Sequence, residues 1–311
     1  YADEQHGKLA RDYMLERKFD AKILDEFGVG YAPAQPRIMF DALKNKGIPE
    51  ADLMSSGLVS RTQYGNLLDL FRGRVIFPIS NVQGKIIGFG GRVFSDELPK
   101  YINSPESELF KKRCELFGLH LAKKHVDRDD PYMIVVEGYL DAIRLHEAGV
   151  RNSVATLGTA LTEEHARLLK RYVREIVLVF DGDEAGQSAS LRSLETFLEE
   201  DMSVKLVALP DGFDPDDFVR DKGGDAFREL VKQSEDIFTF KLKFLMKRYN
   251  HKEPKGLVAI TKEMISTFSK IPNAVLVDRY VKQLSIILGV DERSIALELE
   301  KVRDKLSARP R

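Results

Sequence analysis

Through the middle of the chain, short apolar runs alternate with stretches of helical spacing. Tyr132-Met133-Ile134-Val135-Val136 is apolar and β-branched and stops at Glu137-Gly138, which predicts a buried strand. Residues 139–149 then place Leu140, Ile143, Leu145 and Ala148 at helical intervals. Ser153-Val154-Ala155 predicts a second strand, and Thr156-Leu157-Gly158-Thr159 a tight turn after it. Thr162 can cap a helix that carries Glu163 and Glu164 in its first turn and Leu168 and Leu169 beyond, an arrangement that suits the helix dipole. Ile176–Phe180 is the clearest buried strand; it runs straight into Asp181-Gly182-Asp183, and a helix is expected over about 185–198. Val204–Ala208 is a fourth strand, closed by Pro210. The order βαβαβαβ predicts an α/β fold with a mostly parallel sheet flanked by helices.

The flanks read differently. Val75–Ile79 and Lys85–Phe89 predict a hairpin, joined by Ser80-Asn81-Val82-Gln83-Gly84. Its Gly88-x-Gly90-Gly91 run fits either a bulged strand or close approach of the backbone to a partner. Leu9–Ile23 and Ile38–Lys44 show helical apolar spacing, and helices are expected near 235–249, 256–270, 273–288 and 291–307, the last capped by Asp291. We therefore expect an N-terminal α+β subdomain over 1–130, a sheet domain over 131–225 and a C-terminal helical subdomain over 226–311; 311 residues suffice for two or three domains.

Composition narrows the classes. No run approaches the roughly 20 apolar residues that span a bilayer, and no apolar segment follows a basic start at Tyr1, so neither a membrane span nor a signal peptide is expected. A chain that begins with Tyr1 is expected to be a fragment of a longer one. The single cysteine, Cys114, argues against a disulfide framework or a cysteine zinc site and for a reducing, cytoplasmic setting. The net charge of −1 hides strong segregation. Residues 131–225 hold 10 basic against 19 acidic side chains, while residues 61–125 hold 11 against 6 and residues 226–311 hold 18 against 11.

In parallel sheets, ligands bind outside the carboxyl ends of the strands. Glu137 follows the first strand there, Asp181 and Asp183 the third, and Asp214, Asp216 and Asp217 the fourth; Asp141 lies one helical turn beyond Glu137. Like charges gathered at one edge call for cations, and hard carboxylate oxygens select Mg²⁺, Mn²⁺ or Ca²⁺. The alternative is that each acid caps a helix or fills a turn. Arg72, Arg74, Arg92, Lys100, Lys111, Lys112 and Arg113 fall within about forty residues, and such side chains suit phosphates and polyanions.

Six motifs in order carry a family resemblance. Glu137-Gly138-Tyr139-Leu140-Asp141 and Phe180-Asp181-Gly182-Asp183-Glu184-Ala185-Gly186 resemble the TOPRIM metal-binding module of bacterial primases, topoisomerases and some nucleases. Phe71-Arg72-Gly73-Arg74-Val75-Ile76-Phe77-Pro78-Ile79, Gly88-Phe89-Gly90-Gly91-Arg92, Pro99-Lys100-Tyr101-Ile102-Asn103-Ser104-Pro105 and Leu209-Pro210-Asp211-Gly212-Phe213-Asp214-Pro215-Asp216 resemble bacterial DnaG-type primases.

The resemblance implies RNA primer synthesis on single-stranded DNA from ribonucleoside triphosphates during replication, in the cytoplasm at the replication fork. It implies Asp181, Asp183 and Asp214 as ligands of Mg²⁺ or Mn²⁺, more than one ion, with Asp216 as a further ligand. Glu137 would be a ligand or the general base, and Asp141 a supporting ligand. Arg72, Arg74, Arg92, Lys100, Tyr101, Asn103, Lys111 and Lys112 would contact triphosphate or template. It implies a replicative helicase as partner through a C-terminal domain expected to be absent here, along with the family's zinc-binding domain, so that no zinc is expected in this chain. A TOPRIM nuclease, a topoisomerase fragment and a non-catalytic nucleic-acid-binding module stand as alternatives.

Overall fold

The structure, a computed structural model, describes residues 7–94, 98–180, 191 and 194–307. Backbone packing divides the chain into two compact units. One comprises Tyr1–Val126, Val135–Thr159 and Pro215–Asp225; the other comprises Asp127–Ile134, Ala160–Asp214 and Ala226–Arg311.

The first unit begins with α1 (Lys8–Glu16) and α2 (Ala21–Glu26), where the apolar spacing predicted one helix. Lys18 takes a left-handed φ of 60°, and the Asp20 side chain caps a new helix by accepting from the Lys22 N–H at 2.8 Å. The spacing spans the break because Met14 before it, Phe19 within it and Ile23 and Leu24 after it are all buried. β1 (Gly30–Ala32) follows, then a satellite of α3 (Ile38–Asn45), α4 (Glu50–Ser55), β2 (Val59–Arg61) and β3 (Leu67–Asp69), built on Phe40, Leu53, Val59 and Leu67. Buried Asp69 accepts from the Met39 and Phe40 N–H groups at 2.8 and 2.9 Å, satisfying the start of α3.

The expected hairpin is present as β4 (Arg74–Ser80) and β5 (Ile86–Val93), antiparallel and bulged at Ile79/Ser80. Val75, Phe77 and Ile79 are fully buried, the period-2 pattern of a strand with one core face. With β6 (Tyr101–Asn103) the sheet order is β1-β4-β5-β6. The glycines of β5 make room for this chain's own rings rather than for an outside partner. A Cβ on Gly90 would lie 2.6 Å from the Tyr139 ring, and one on Gly91 would lie 2.7 Å from Phe71. Beyond a short helix, α5 (Leu119–Ala122), the chain reaches β7 (Tyr132–Val136), α6 (Tyr139–Glu147) and β8 (Ser153–Ala155), as their spacing predicts.

The second unit holds α7 (Glu163–Leu169), β9 (Glu175–Phe180) and β10 (Ser203–Ala208). Thr162 caps α7 by accepting from the His165 N–H at 3.2 Å. β9 and β10 run parallel in register from Glu175↔Ser203 to Phe180↔Ala208; β9 is buried almost continuously, as a strand covered on both faces is, whereas β10 buries only Val204, Leu206 and Val207. The full sheet order is β11-β10-β9-β7-β8, with β11 (Glu235–Asp236) antiparallel at its edge.

The run α8 (Pro215–Lys232) is helical on both sides of a break at Gly223, φ 85°. Four helices close the chain: α9 (Ile237–Arg248), α10 (Pro254–Phe268), α11 (Ala274–Leu288) and α12 (Glu292–Ser307), close to the expected spans. Asp291 caps the last, accepting from the Ser294 N–H at 3.1 Å. The fold is thus α/β, with an antiparallel basic-region sheet, a sheet containing parallel strands, and a helical C-terminal region.

Candidate functional site

β7 delivers Glu137 to an exposed position at its carboxyl end. There the turn is tied down from two directions. The Thr156 hydroxyl donates to the Glu137 carbonyl at 3.4 Å, and the Gly138 N–H donates to Asp141 Oδ2 at 3.1 Å. Asp141 Oδ1 accepts from the backbone N–H of Asp216 at 3.3 Å. Among the described residues, no three His, Cys, Asp or Glu side chains group as a metal cage; Asp181 and Asp183 lie outside the described residues. Asp214 is half-buried just ahead of α8. Carboxylate oxygens, the chemistry of Glu137 and of Asp214, suit a hard divalent cation.

Asp216, expected as a ligand, is held by arginines. It is 2% exposed. Its Oδ1 accepts from Arg144 Nε at 2.7 Å and its Oδ2 from Arg17 Nη1 at 3.2 Å. Arg144 is itself 4% exposed. It donates to the Lys18 and Arg17 carbonyls at 3.0 and 2.5 Å, pairs with Glu147 and lies 3.8 Å from the Phe19 ring centroid. The two carbonyls it takes are those left by the break between α1 and α2.

The basic residues divide by what they touch. Arg72 is exposed and donates to the Asp69 carbonyl. Arg74 donates to the Gly91, Lys100 and Pro99 carbonyls at 3.1–3.3 Å. Asn103 is a bracket: its amide donates to the Leu157 carbonyl at 2.8 Å while its carbonyl accepts from the Tyr139 hydroxyl at 2.5 Å. Lys100 and Lys111 are exposed and Lys112 is half-buried.

Arg92 is unlike the others. It is 7% exposed, its Nε and Nη1 are buried without a hydrogen-bond partner, and its guanidinium lies 5.3 Å from the Tyr13 ring centroid and 5.4 Å from that of Tyr101. Buried donors are normally satisfied, so this one is set to receive an acceptor.

Desolvation raises the phenols of Tyr13, Tyr101 and Tyr139, Tyr101 up to about 12. All three therefore stay protonated near neutral pH. Tyr101 feels both Arg92 and Asp141, and Tyr13 feels Arg92, Arg17 and Asp216, so the two rings stand between the basic and acidic sides. Tyr13, Arg17, Tyr139 and Arg144 escaped the sequence reading. The available signals were the i, i+4 pair Tyr13/Arg17 and a charged Arg144 on a helix otherwise buried nearly all round.

Comparison with known proteins agrees with the fold. Residues 2–123 match the DNA primase catalytic core N-terminal domain, and residues 134–219 match a Toprim-like domain. Residues 238–293 match the DnaB-helicase binding domain of primase, which corrects the expectation that the helicase-engaging domain is absent from this chain. The DNA primase of Clostridium acetobutylicum is 40% identical over 92% of this chain and 47% of its own length; the chain spans about half the length of the curated relatives it matches.

A DNA primase domain from Pseudomonas aeruginosa superposes with a TM-score of 0.86 at 36% identity, covering 96% of this chain and 94% of that one. A DnaG primase catalytic domain bound to single-stranded DNA superposes at 0.82 and 33%, covering 92% and 90%. On motifs, fold and these likenesses together, the chain belongs to the bacterial DnaG-type primase family and carries its TOPRIM-containing catalytic-core fold.

Proposed function

We propose that the chain synthesises RNA primers on single-stranded DNA by nucleotidyl transfer from ribonucleoside triphosphates. The observation that carries this reading is Arg92: a buried guanidinium with two unpaired nitrogens, set against Tyr101, a ring that also feels Asp141. That pairing is what a triphosphate needs, an anion receptor next to cation-holding acids. Glu137, Asp181, Asp183 and Asp214 hold the divalent ions, Mg²⁺ or Mn²⁺. Bound there, the ions supply activation of the 3′ hydroxyl and neutralisation of the departing pyrophosphate. Glu137 serves as ligand or as the base that takes the hydroxyl proton. Arg92 grips a phosphate between the rings of Tyr13 and Tyr101. Exposed Lys100 and Lys111, with Lys112, track the template backbone. Arg72, Arg74 and Asn103 hold backbone carbonyls and shape the groove.

The helicase-binding match over 238–293 supports a replicative helicase as partner within this chain's own C-terminal helices. Among the described residues no helix is long and apolar enough to cross a membrane, and we place the work at the cytoplasmic replication fork.

The test supplies labelled ribonucleotides, single-stranded DNA and Mg²⁺. Asp181→Ala is expected to abolish dinucleotide formation with the melting temperature unchanged. Arg92→Ala is expected to weaken nucleotide use by about tenfold or more, the scale of a lost charge-assisted bond. Full activity in Asp181→Ala refutes the assignment; DNA cleavage without nucleotide-dependent product growth favours a nuclease instead.

A further inference from the structure

We propose that Asp141 and Asp216 are positioning residues rather than metal ligands, and that with Arg144 and Arg17 they form a buried bracket setting the backbone around the ligand-bearing turns. The proposal deepens, and rests on, the reading of the site as a carboxylate-held metal centre.

The bracket is a two-point grip by one helix on one residue. Asp141 and Arg144 lie three apart on α6 and so share a face. Asp141 takes the backbone N–H of Asp216, and Arg144 takes its carboxylate through a 2.7 Å bond. The second Asp141 oxygen accepts from Gly138, the residue after Glu137. Asp141 thereby ties the turn carrying Glu137 to the start of α8, two residues past Asp214. Arg17 closes the far side of Asp216, and Arg220 Nη1 stands 4.0 Å from the same oxygen. Arg144 in turn holds the carbonyls at the end of α1, so the grip is anchored on three segments of one compact unit.

Charge decides against a ligand role for Asp216. Around this nearly inaccessible carboxylate stand two guanidiniums in direct contact and a third at its edge. A dication placed on the same oxygens would meet those cations at close range in a desolvated setting. Freeing the carboxylate for a metal would also take from buried Arg144 the acceptor of its Nε, leaving it Glu147 alone as an acidic partner, and breaking an internal ion pair is costly.

The experiment measures Mn²⁺ affinity by calorimetry, with thermal melts in parallel, for the wild-type chain, Asp216→Asn, Arg144→Gln, Arg17→Gln and the Asp216→Asn/Arg144→Gln double variant. Residues that orient metal ligands typically change affinity by about 10- to 100-fold, so Asp216→Asn and Arg144→Gln are each expected to weaken Mn²⁺ binding on that scale. The double variant is expected to be no worse than the worse single one. Arg17→Gln, at a side chain 28% exposed, is expected to weaken binding several-fold with little change in melting temperature.

If Asp216 is instead a ligand, Arg144→Gln leaves Mn²⁺ affinity unchanged or tightens it, and that result overturns the bracket. Unchanged affinity in Arg17→Gln overturns it too, and decides the matter if Asp216→Asn does not fold. A wild-type chain with no Mn²⁺ affinity, or Asp181→Ala binding as tightly as wild type, refutes the metal-centre reading itself, an outcome distinct from failure of the bracket alone.

Discussion

Gly90 and Arg92 are two residues apart on β5 and point to the same side of the pleat. One is a space, the other a charge. Tyr139 occupies the space. It lies near-parallel to Phe77 at 5.5 Å and edge-on to Phe117 at 4.8 Å, and its hydroxyl is fixed on Asn103. A ring held on three sides cannot retreat from an added methyl. Gly90→Ala is therefore expected to destabilise by about 1–3 kcal/mol, the usual cost of overpacking a tight core, and to lower the melting temperature by several degrees. An unchanged melt would mean that the ring moves freely. Residue roles of this kind were only partly legible in the sequence. Arg74, Arg92 and Arg144 are alike as letters. What separates a carbonyl clamp, a guanidinium held between two rings and an internal ion pair is the company each keeps, and Arg144 keeps that of Arg17, 127 positions away.

At the scale of elements, α6 carries more than its length suggests. From Tyr139 to His146 it is buried almost continuously, so its polar side chains must all be answered internally. His146 meets that demand at one nitrogen, as a neutral ring whose Nδ1 is buried without a hydrogen-bond partner. Its Nε2 bonds the Ser153 carbonyl at 2.8 Å, which requires the Nε2–H tautomer, and Phe27 packs edge-on at 5.0 Å. Desolvation, aided by Arg151, His125 and His120, lowers its pKa to about 4, against about 6.5 in an unfolded chain. Between those values the unfolded state binds the extra proton, so stability rises with pH across the window. It is complete above about pH 6.5 and declines on acidification towards pH 4, by on the order of 3 kcal/mol. Thermal melts from pH 7.5 to 4.5 are expected to show this slope, and His146→Gln to flatten it; an equal slope in the variant would assign it to other groups. The elements themselves were largely legible, because strands with β-branched runs and helices with apolar stripes announce their periods. The break at Lys18 was not, since apolar spacing carries no record of a carbonyl needed elsewhere.

For the whole molecule, the segregated charge and the C-terminal helices raise the same question of what counts as a separable part. Sequence periodicity sets residues 226–311 apart as helical. Packing joins them to β9 and β10 in one compact unit. β11 extends the sheet beside β10, and Phe180 at the end of β9 stacks on Phe240 at 5.8 Å. Buried Lys241 bonds Glu195 and Thr267 at 3.1 and 2.6 Å, and Lys270 pairs with Glu199. Cutting the chain after Ser234 would strip an apolar covering from the end of β9, a strand buried almost throughout, and leave Glu195 without its lysine. The fragment is therefore expected to aggregate or to lose a cooperative melt, and with it the proposed primer synthesis, although every acidic residue proposed to hold metal lies ahead of the cut. A separable helical domain would behave otherwise: the shortened chain would stay monomeric, melt near the wild-type temperature and lose only its response to helicase. Light scattering and calorimetry on that fragment distinguish the two, and the second outcome would mean that the helices are an appended module rather than half of the core on which the acidic loops are mounted.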